Sequence, residues 1–375
     1  MTRGRVVVAF DAFKGSLTAL EACEAAARGV RDAMPGTDVS LVPMADGGEG
    51  SLDALLARGG ERRSTETVDA IGRPALAHWA LDGQHAVIEL AQAAGLPQVE
   101  DAPLRPLEAT TAGLGRVVLA ALDEGATEVT LLLGGSATTD GGTGVLRALG
   151  ASLTDASGQP IADGGGGLAA LERLDLRDLD PRALAARWRF VTDVDAPLTG
   201  PRGAAAVFGP QKGATTHDVV LLDDALGRLA RVAAAELAID ERSIADVPGA
   251  GAAGGIASAL RALTGGEIVA GGVWFAALAG LDDAVVGSAL VLTGEGRFDE
   301  QSAGGKVVSV VHDAAVRHGV PLCVLAGAVD ARAAAAMRVP ALSIAAGAAS
   351  LADLQRDAAD LLAAGAASVA RLALR

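Results

Sequence analysis

One local pattern recurs at both ends of the chain and constrains the fold more than any other feature. An unbroken apolar run enters a polar, glycine-rich turn, and a helical period follows. Residues 5–10 lead into Asp11-Ala-Phe-Lys-Gly-Ser and a helix predicted over 17–33. Residues 39–42 lead into Ala45-Asp-Gly-Gly-Glu-Gly and a helix from about residue 51. Residues 289–293 lead into Gly294-Glu-Gly-Arg-Phe-Asp-Glu-Gln and a helix over 306–318. Strands at 322–326 and 341–345 then precede an amphipathic helix predicted over 351–374. A strand apolar on both faces, followed by a turn and a helix, is the βα unit of a parallel sheet. Such sheets bind ligands at the carboxyl ends of their strands, where these turns lie.

The pattern changes near Gly59. Residues 65–69, 75–81 and 85–90 alternate polar with apolar, and Asp82-Gly83 is a two-residue hairpin signal. A helix over 110–124, a strand over 128–133 and a strand over 189–194 follow, with helices over 216–239 and 254–263. The four glycines at 164–167 read as a flexible loop. The fold class expected is α/β with two domains. A discontinuous parallel-sheet domain, Rossmann- or flavodoxin-like, takes 1–64 plus 285–375. A second α/β domain with some antiparallel structure is inserted at 65–284. A length of 375 residues suits two cores better than one.

Composition narrows the function. Half the residues are hydrophobic but only 2% are aromatic, with no Tyr, so stacking platforms for bases are nearly excluded. A net charge of −15 argues against binding nucleic acid or anionic membranes. No apolar stretch of about 20 residues occurs, so no membrane span is expected. The apolar run after Arg5 is too short for a signal peptide, and a soluble cytoplasmic protein is the expectation. Cys23 and Cys323 exclude a disulfide scaffold and read as buried, inert thiols. His78, His85, His217, His312 and His318 are scattered without metal-ligand spacing.

Chemistry-bearing residues concentrate in six segments: 11–18, 44–51, 134–144, 192–203, 208–215 and 294–306. Glycine lets a backbone turn its N–H groups toward an anion, and a following helix N-terminus adds a favourable field. Asp46, Glu49, Asp140, Asp193, Asp195, Glu295 and Asp299 all fall in these segments. For Asp11, Asp46 and Asp140 a role as turn or cap residue competes evenly with a chemical one. Together the acids suit Mg²⁺, which takes one or two carboxylates plus phosphate oxygens, and one of them suits a general base. The chain has 28 arginines but only three lysines, Lys14, Lys212 and Lys306, and each lysine lies in one of these segments. Acids, lysines and glycine turns together are the ingredients of phosphoryl transfer. No Walker, dinucleotide, kinase-loop or nucleophile-elbow motif is present.

The segments Asp11-Ala-Phe-Lys-Gly-Ser-Leu, Ala45-Asp-Gly-Gly-Glu-Gly, Gly134-Gly-Ser-Ala-Thr-Thr-Asp-Gly-Gly, Phe208-Gly-Pro-Gln-Lys-Gly-Ala and Gly294-Glu-Gly-Arg-Phe-Asp-Glu-Gln occur in this order. With Arg105-Pro106, Thr110-Thr111, Gly113 and Pro248-Gly-Ala-Gly-Ala-Ala-Gly-Gly, the set resembles the type-I glycerate kinase family over nearly the whole chain. The resemblance implies ATP-dependent phosphorylation of D-glycerate to 2-phosphoglycerate, with Mg²⁺, in a cleft between two α/β domains. Ala12 stands where that family usually has Ser, Thr139 where it usually has Asn, and Thr192-Asp-Val-Asp-Ala-Pro where it usually has Cys-Asp-Val-x-Asn-Pro.

Carried onto this sequence, the resemblance implies Asp193 as the base, with Asp46 and Asp299 as rivals. Lys14, Lys212, Lys306 and Arg297 would neutralise the substrate carboxylate and the transferring phosphoryl group. Asp11, Ser16, Glu49, Arg105, Ser136, Asp140, Gln211 and Gln301 would contact substrate or nucleotide, and Glu295 and Asp299 would hold the metal. The partners expected are D-glycerate and ATP alone, with the chain a monomer or a homodimer. A kinase giving 3-phosphoglycerate, or acting on a related hydroxy acid, is the alternative. A dinucleotide-dependent oxidoreductase and a non-catalytic metabolite-binding module are the remote ones.

Overall fold

The computed structural model describes residues 4–48, 51–56, 59–303, 306–345 and 347–374, and at 301 and 303 the backbone alone. The chain divides into two compact units, Met1–Asp46 with Ala270–Arg375, and Gly47–Val269. Eleven strands build their two main sheets: β1 (Val6–Phe10), β2 (Val39–Leu41), β3 (Glu61–Val68), β4 (Pro74–Asp82), β5 (His85–Glu89), β6 (Glu128–Leu132), β7 (Arg187–Val191), β8 (Glu267–Val269), β9 (Leu290–Gly294), β10 (Leu322–Ala326) and β11 (Ala341–Ser343).

The discontinuous unit is a five-stranded parallel sheet in the order β11-β10-β9-β1-β2. Counted within the unit, this is the 2-1-3-4-5 order of flavodoxin-like folds, whose direction reverses between β1 and the strand beside it. β1 and β9 are paired through their whole length, from Val6 opposite Leu290 to Phe10 opposite Gly294. Val6, Val8 and Phe10 pack under the helix Ala19–Ala33 and against Leu362 and Ala366 of the helix Ala358–Ala373. Thr18 caps the first of these helices in a reciprocal box with Glu21. The terminal helix expected over 351–374 is two, Leu351–Arg356 and Ala358–Ala373, which meet at Asp357.

The other unit is a six-stranded sheet, β8-β7-β6-β5-β4-β3. β5 to β8 run parallel, whereas β3, β4 and β5 form an antiparallel meander whose second turn is the expected Asp82-Gly83 hairpin. Residues 51–56 and 59–64 fall in this unit rather than the first, where β3 pairs with β4 from Glu61 opposite Leu81 to Val68 opposite Pro74. Residues 270–284 join the discontinuous unit, where the helix Gly271–Ala279 meets the helix Val307–His318.

The glycines at 164–167 form a helical turn, buried at Gly164 and Gly165, instead of a flexible loop. A Cβ on Gly165 would lie 2.3 Å from the Thr139 carbonyl oxygen, and one on Gly167 would lie 2.0 Å from that of Ala162. Close backbone packing, not chain freedom, requires glycine there. Among the described residues no helix is long and apolar enough to cross a membrane.

Candidate active site

In the discontinuous unit the acids gather where the strand order reverses. Asp11 follows β1 and Glu295 follows β9, and the Asp11 N–H donates to the Gly294 carbonyl at 3.0 Å. Asp46 follows the turn after β2. Burial first, then the nearby Asp46 and Glu295, push the Asp11 carboxyl up to about 8, against the Ala12 N–H and Lys14. Burial also raises Glu295, with Asp299 and Asp46 adding to it, against a Ser302 hydrogen bond and Lys306. Four carboxylates and two lysines therefore share one electrostatic neighbourhood. Lys14 lies exposed in the turn 13–17, which Gly15 closes at φ +77°. Ser16 is a part of that turn, its hydroxyl donating to the Phe13 carbonyl at 3.0 Å. Lys306 caps the helix Val307–His318 through its backbone. The Arg297 side chain is 79% exposed and pairs with Asp299 at 3.2 Å. Glu49 and the Gln301 side chain lie outside the described residues.

Asp46 is held by a close approach of backbone. A Cβ on Gly271, the first residue of the helix Gly271–Ala279, would lie 1.8 Å from the Asp46 carbonyl oxygen and 2.4 Å from its carbon. Gly271→Ala must therefore move the helix or Asp46 by about 1 Å or more, a displacement of the kind that costs catalysis heavily. The expected result is a loss of at least roughly tenfold in turnover. Gly227→Ala, where nothing approaches closer than 3.4 Å, leaves turnover unchanged. Steady-state assay of the two variants checks this, and equal turnover in both would show that the contact does not hold the acid.

These residues fit a hard divalent cation. Every donor is an oxygen, the preference of Mg²⁺. Glu295 Oε1 is buried and has no hydrogen-bond partner among the described residues. Among the described residues no group of three or more Asp, Glu, His or Cys is placed to hold a metal ion, and Mg²⁺ beside phosphate needs only one or two carboxylates.

In the other unit the turns after β6 and β7 lie at the same sheet edge, because the strands are parallel neighbours from Glu128 opposite Arg187 to Leu132 opposite Val191. Asp193, half-buried, lies past the end of β7 in a turn whose Thr192 N–H donates to the Val269 carbonyl at 3.0 Å. Lys212 is 3% exposed. Its ammonium donates to the Thr138 carbonyl and lies 3.5 Å from Ser136 Oγ. Burial pulls the Lys212 amine down to about 7, opposed by Asp140. Gln211 is exposed, and Arg105 is half-exposed and pairs with Glu108 at 3.6 Å.

Asp140 departs from the expectation of ligand contact. It has no exposed surface. One carboxylate oxygen accepts from the Thr111 N–H and hydroxyl, both at 2.8 Å, and from the Gly144 N–H at 3.2 Å. The other accepts from the Gly142 N–H at 3.1 Å. The residue is an internal clasp that ties the start of the helix Ala112–Asp123 to the turn carrying Ser136. The sequence reading also missed Ala253, whose backbone is left-handed at φ +51° and whose carbonyl accepts from Ser136 Oγ at 3.4 Å. Strain in a non-glycine residue beside a site is a recognisable signal, but the glycine-rich run around Ala253 concealed it. Cys23 and Cys323 are buried, and burial pushes their thiols up to about 12 and about 11.

An α/β fold thus carries carboxylates at the reversal point of one parallel sheet and a buried lysine beside a hydroxyl and a carbonyl at the edge of another. Comparison with known proteins gives this fold its family. A profile of the glycerate kinase family matches residues 6–374. A glycerate 2-kinase from Escherichia coli is 42% identical over 86% of this chain and 85% of its own. A glycerate kinase from Halalkalibacterium halodurans is 40% identical over 86% and 85%. A solved structure from Salmonella typhimurium, described as a glycerate kinase 2, superposes with a TM-score of 0.88 at 38% identity, covering 98% of both chains. The chain belongs to the glycerate kinase family, and it is a kinase.

Proposed function

We propose that the protein phosphorylates D-glycerate with ATP at the hydroxyl on carbon 2, giving 2-phosphoglycerate and ADP in the cytoplasm. The observation that carries the reading is the shared neighbourhood of Asp11, Asp46, Glu295 and Asp299 with Lys14 and Lys306. That combination suits a metal–polyphosphate, because a polyphosphate alone is repelled by four acids and a metal alone gains nothing from two lysines. The resemblance to a glycerate 2-kinase supports carbon 2 as the acceptor.

Glu295 and Asp299 would hold Mg²⁺, which when bound neutralises charge on the triphosphate oxygens. In the transfer the substrate oxygen bonds to the γ-phosphorus, the bond to the β–γ bridging oxygen breaks, and the hydroxyl proton passes to a carboxylate. Asp193 takes that proton, standing at the same sheet edge as Ser136 and Lys212. Lys14 and Lys306 neutralise the developing charge on the departing phosphate. The test is the purified protein with D-glycerate, MgATP and ³¹P NMR. A 2-phosphoglycerate resonance rising with ADP is expected. A 3-phosphoglycerate resonance would move the acceptor to the other hydroxyl, and no ADP release above the ATP-only control would end the reading.

A further inference from the structure

Lys212 is buried in a way the fold alone does not explain. Among the described residues its ammonium makes no ion pair, and its recorded partners are a neutral carbonyl, Thr138, and a neutral hydroxyl, Ser136. Asp140 is the charged group that faces it, yet that carboxylate already accepts hydrogen bonds from Thr111, Gly142 and Gly144. A lysine ammonium carries three N–H donors, so at least one remains for another acceptor. In the turn that carries Ser136 and Thr138, Thr139 Oγ1 is buried with no hydrogen-bond partner among the described residues. A buried cation without a counter-ion is costly, and a chain that uses arginine nearly everywhere else keeps a compact ammonium here.

We propose that Lys212 and Ser136 form the subsite for the carboxylate of the hydroxy-acid substrate, and that the metal–polyphosphate is left to the acid and lysine cluster of the discontinuous unit. This rests on the glycerate kinase reading and adds which unit receives which substrate. One ammonium among neutral hydroxyls matches a single negative charge. A polyphosphate needs several cations and a metal, whereas the carboxylate that acts on Lys212, Asp140, is already taken up by Thr111, Gly142 and Gly144. The choice has a measurable consequence. An amine that burial keeps mostly neutral at pH 8 becomes an ammonium when an anion joins it, so binding draws a proton from the buffer.

The experiment is isothermal titration of the full-length protein at pH 8 in buffers of different ionisation heat, with D-glycerate, MgADP and inorganic phosphate as separate ligands. D-glycerate is expected to take up close to one proton per site, falling toward zero at pH 6 where the amine is already charged. Lys212→Met is expected to remove the uptake and weaken D-glycerate at least tenfold, while MgADP binds as before. Uptake that accompanies MgADP or phosphate and not D-glycerate would reverse the assignment. No uptake with any ligand, or full D-glycerate affinity in Lys212→Met, would overturn it. The wild-type titration decides the matter even if the variant fails to fold. Turnover of D-glycerate without proton uptake leaves the kinase reading standing and removes this one, and absence of turnover removes the reading beneath it.

Discussion

Asp140→Asn is expected to cost the fold about 3 kcal/mol or more, although it changes no exposed surface and swaps one oxygen for nitrogen. The carboxylate is the acceptor for two donors of Thr111 and for the N–H groups of Gly142 and Gly144, all in the interior. An amide keeps one acceptor oxygen and turns an NH₂ group toward donors, so one side of the clasp loses its partners. A buried donor left unsatisfied costs about 1–3 kcal/mol, and no water reaches a residue with no exposed surface. The surroundings cannot relax to help, since a Cβ on Gly144 would already lie 2.3 Å from the Ala112 nitrogen. Urea unfolding should show the midpoint falling at unchanged slope. The double variant with Thr111→Val should fall by less than the sum of the singles, because the two share one bond. A wild-type midpoint in Asp140→Asn would mean that the clasp is not a structural element, and would return Asp140 to the ligand role the sequence suggested.

That residue marks where the sequence stops being legible. The βα units were readable because a strand buried on both faces has no alternation, and the meander was readable because a half-exposed strand has it. The unit boundary at residue 47 was not readable, because the helix Ser51–Leu56 continues the βα pattern of the first two strands while its neighbours β4 and β5 belong to the second unit. The four glycines at 164–167 carried the composition of a loop, and only the carbonyls of Thr139 and Ala162 reveal that they are there for want of room. Asp140 and Asp193 both follow strands in polar turns, and the sequence left Asp140 evenly poised between a cap and a chemical role. What separates them is Thr111, far upstream, which no local pattern connects to residue 140. The lysines stand out in the sequence by their rarity, but rarity says nothing of environment. Lys14 is exposed, Lys306 caps a helix and Lys212 is enclosed. Arg297 is exposed and pairs with Asp299 of the same turn.

Asp193→Asn is expected to lower kcat about 10²–10³-fold with the KM for D-glycerate within about threefold of wild type. The backbone of the turn has hydrogen bonds of its own. Its backbone is fixed by the Thr192 N–H on the Val269 carbonyl and by the Val194 N–H on Thr192 Oγ1 at 3.3 Å, and Gly249 is packed within 3.1 Å of the Val194 carbonyl by its would-be Cβ. An isosteric amide therefore keeps the backbone of the turn and removes the carboxylate that would take the proton. That separates Asp193 from its rivals by kinetics. Loss of a base lowers kcat at every pH and abolishes the acid limb of the rate profile. Loss of a metal-side acid such as Asp299 instead raises the Mg²⁺ concentration needed for half-maximal rate and leaves that limb in place. If Asp193→Asn retains its acid limb and most of its turnover, the proton goes elsewhere. Asp46, held in the discontinuous unit by its contact with Gly271, then becomes the residue to substitute next.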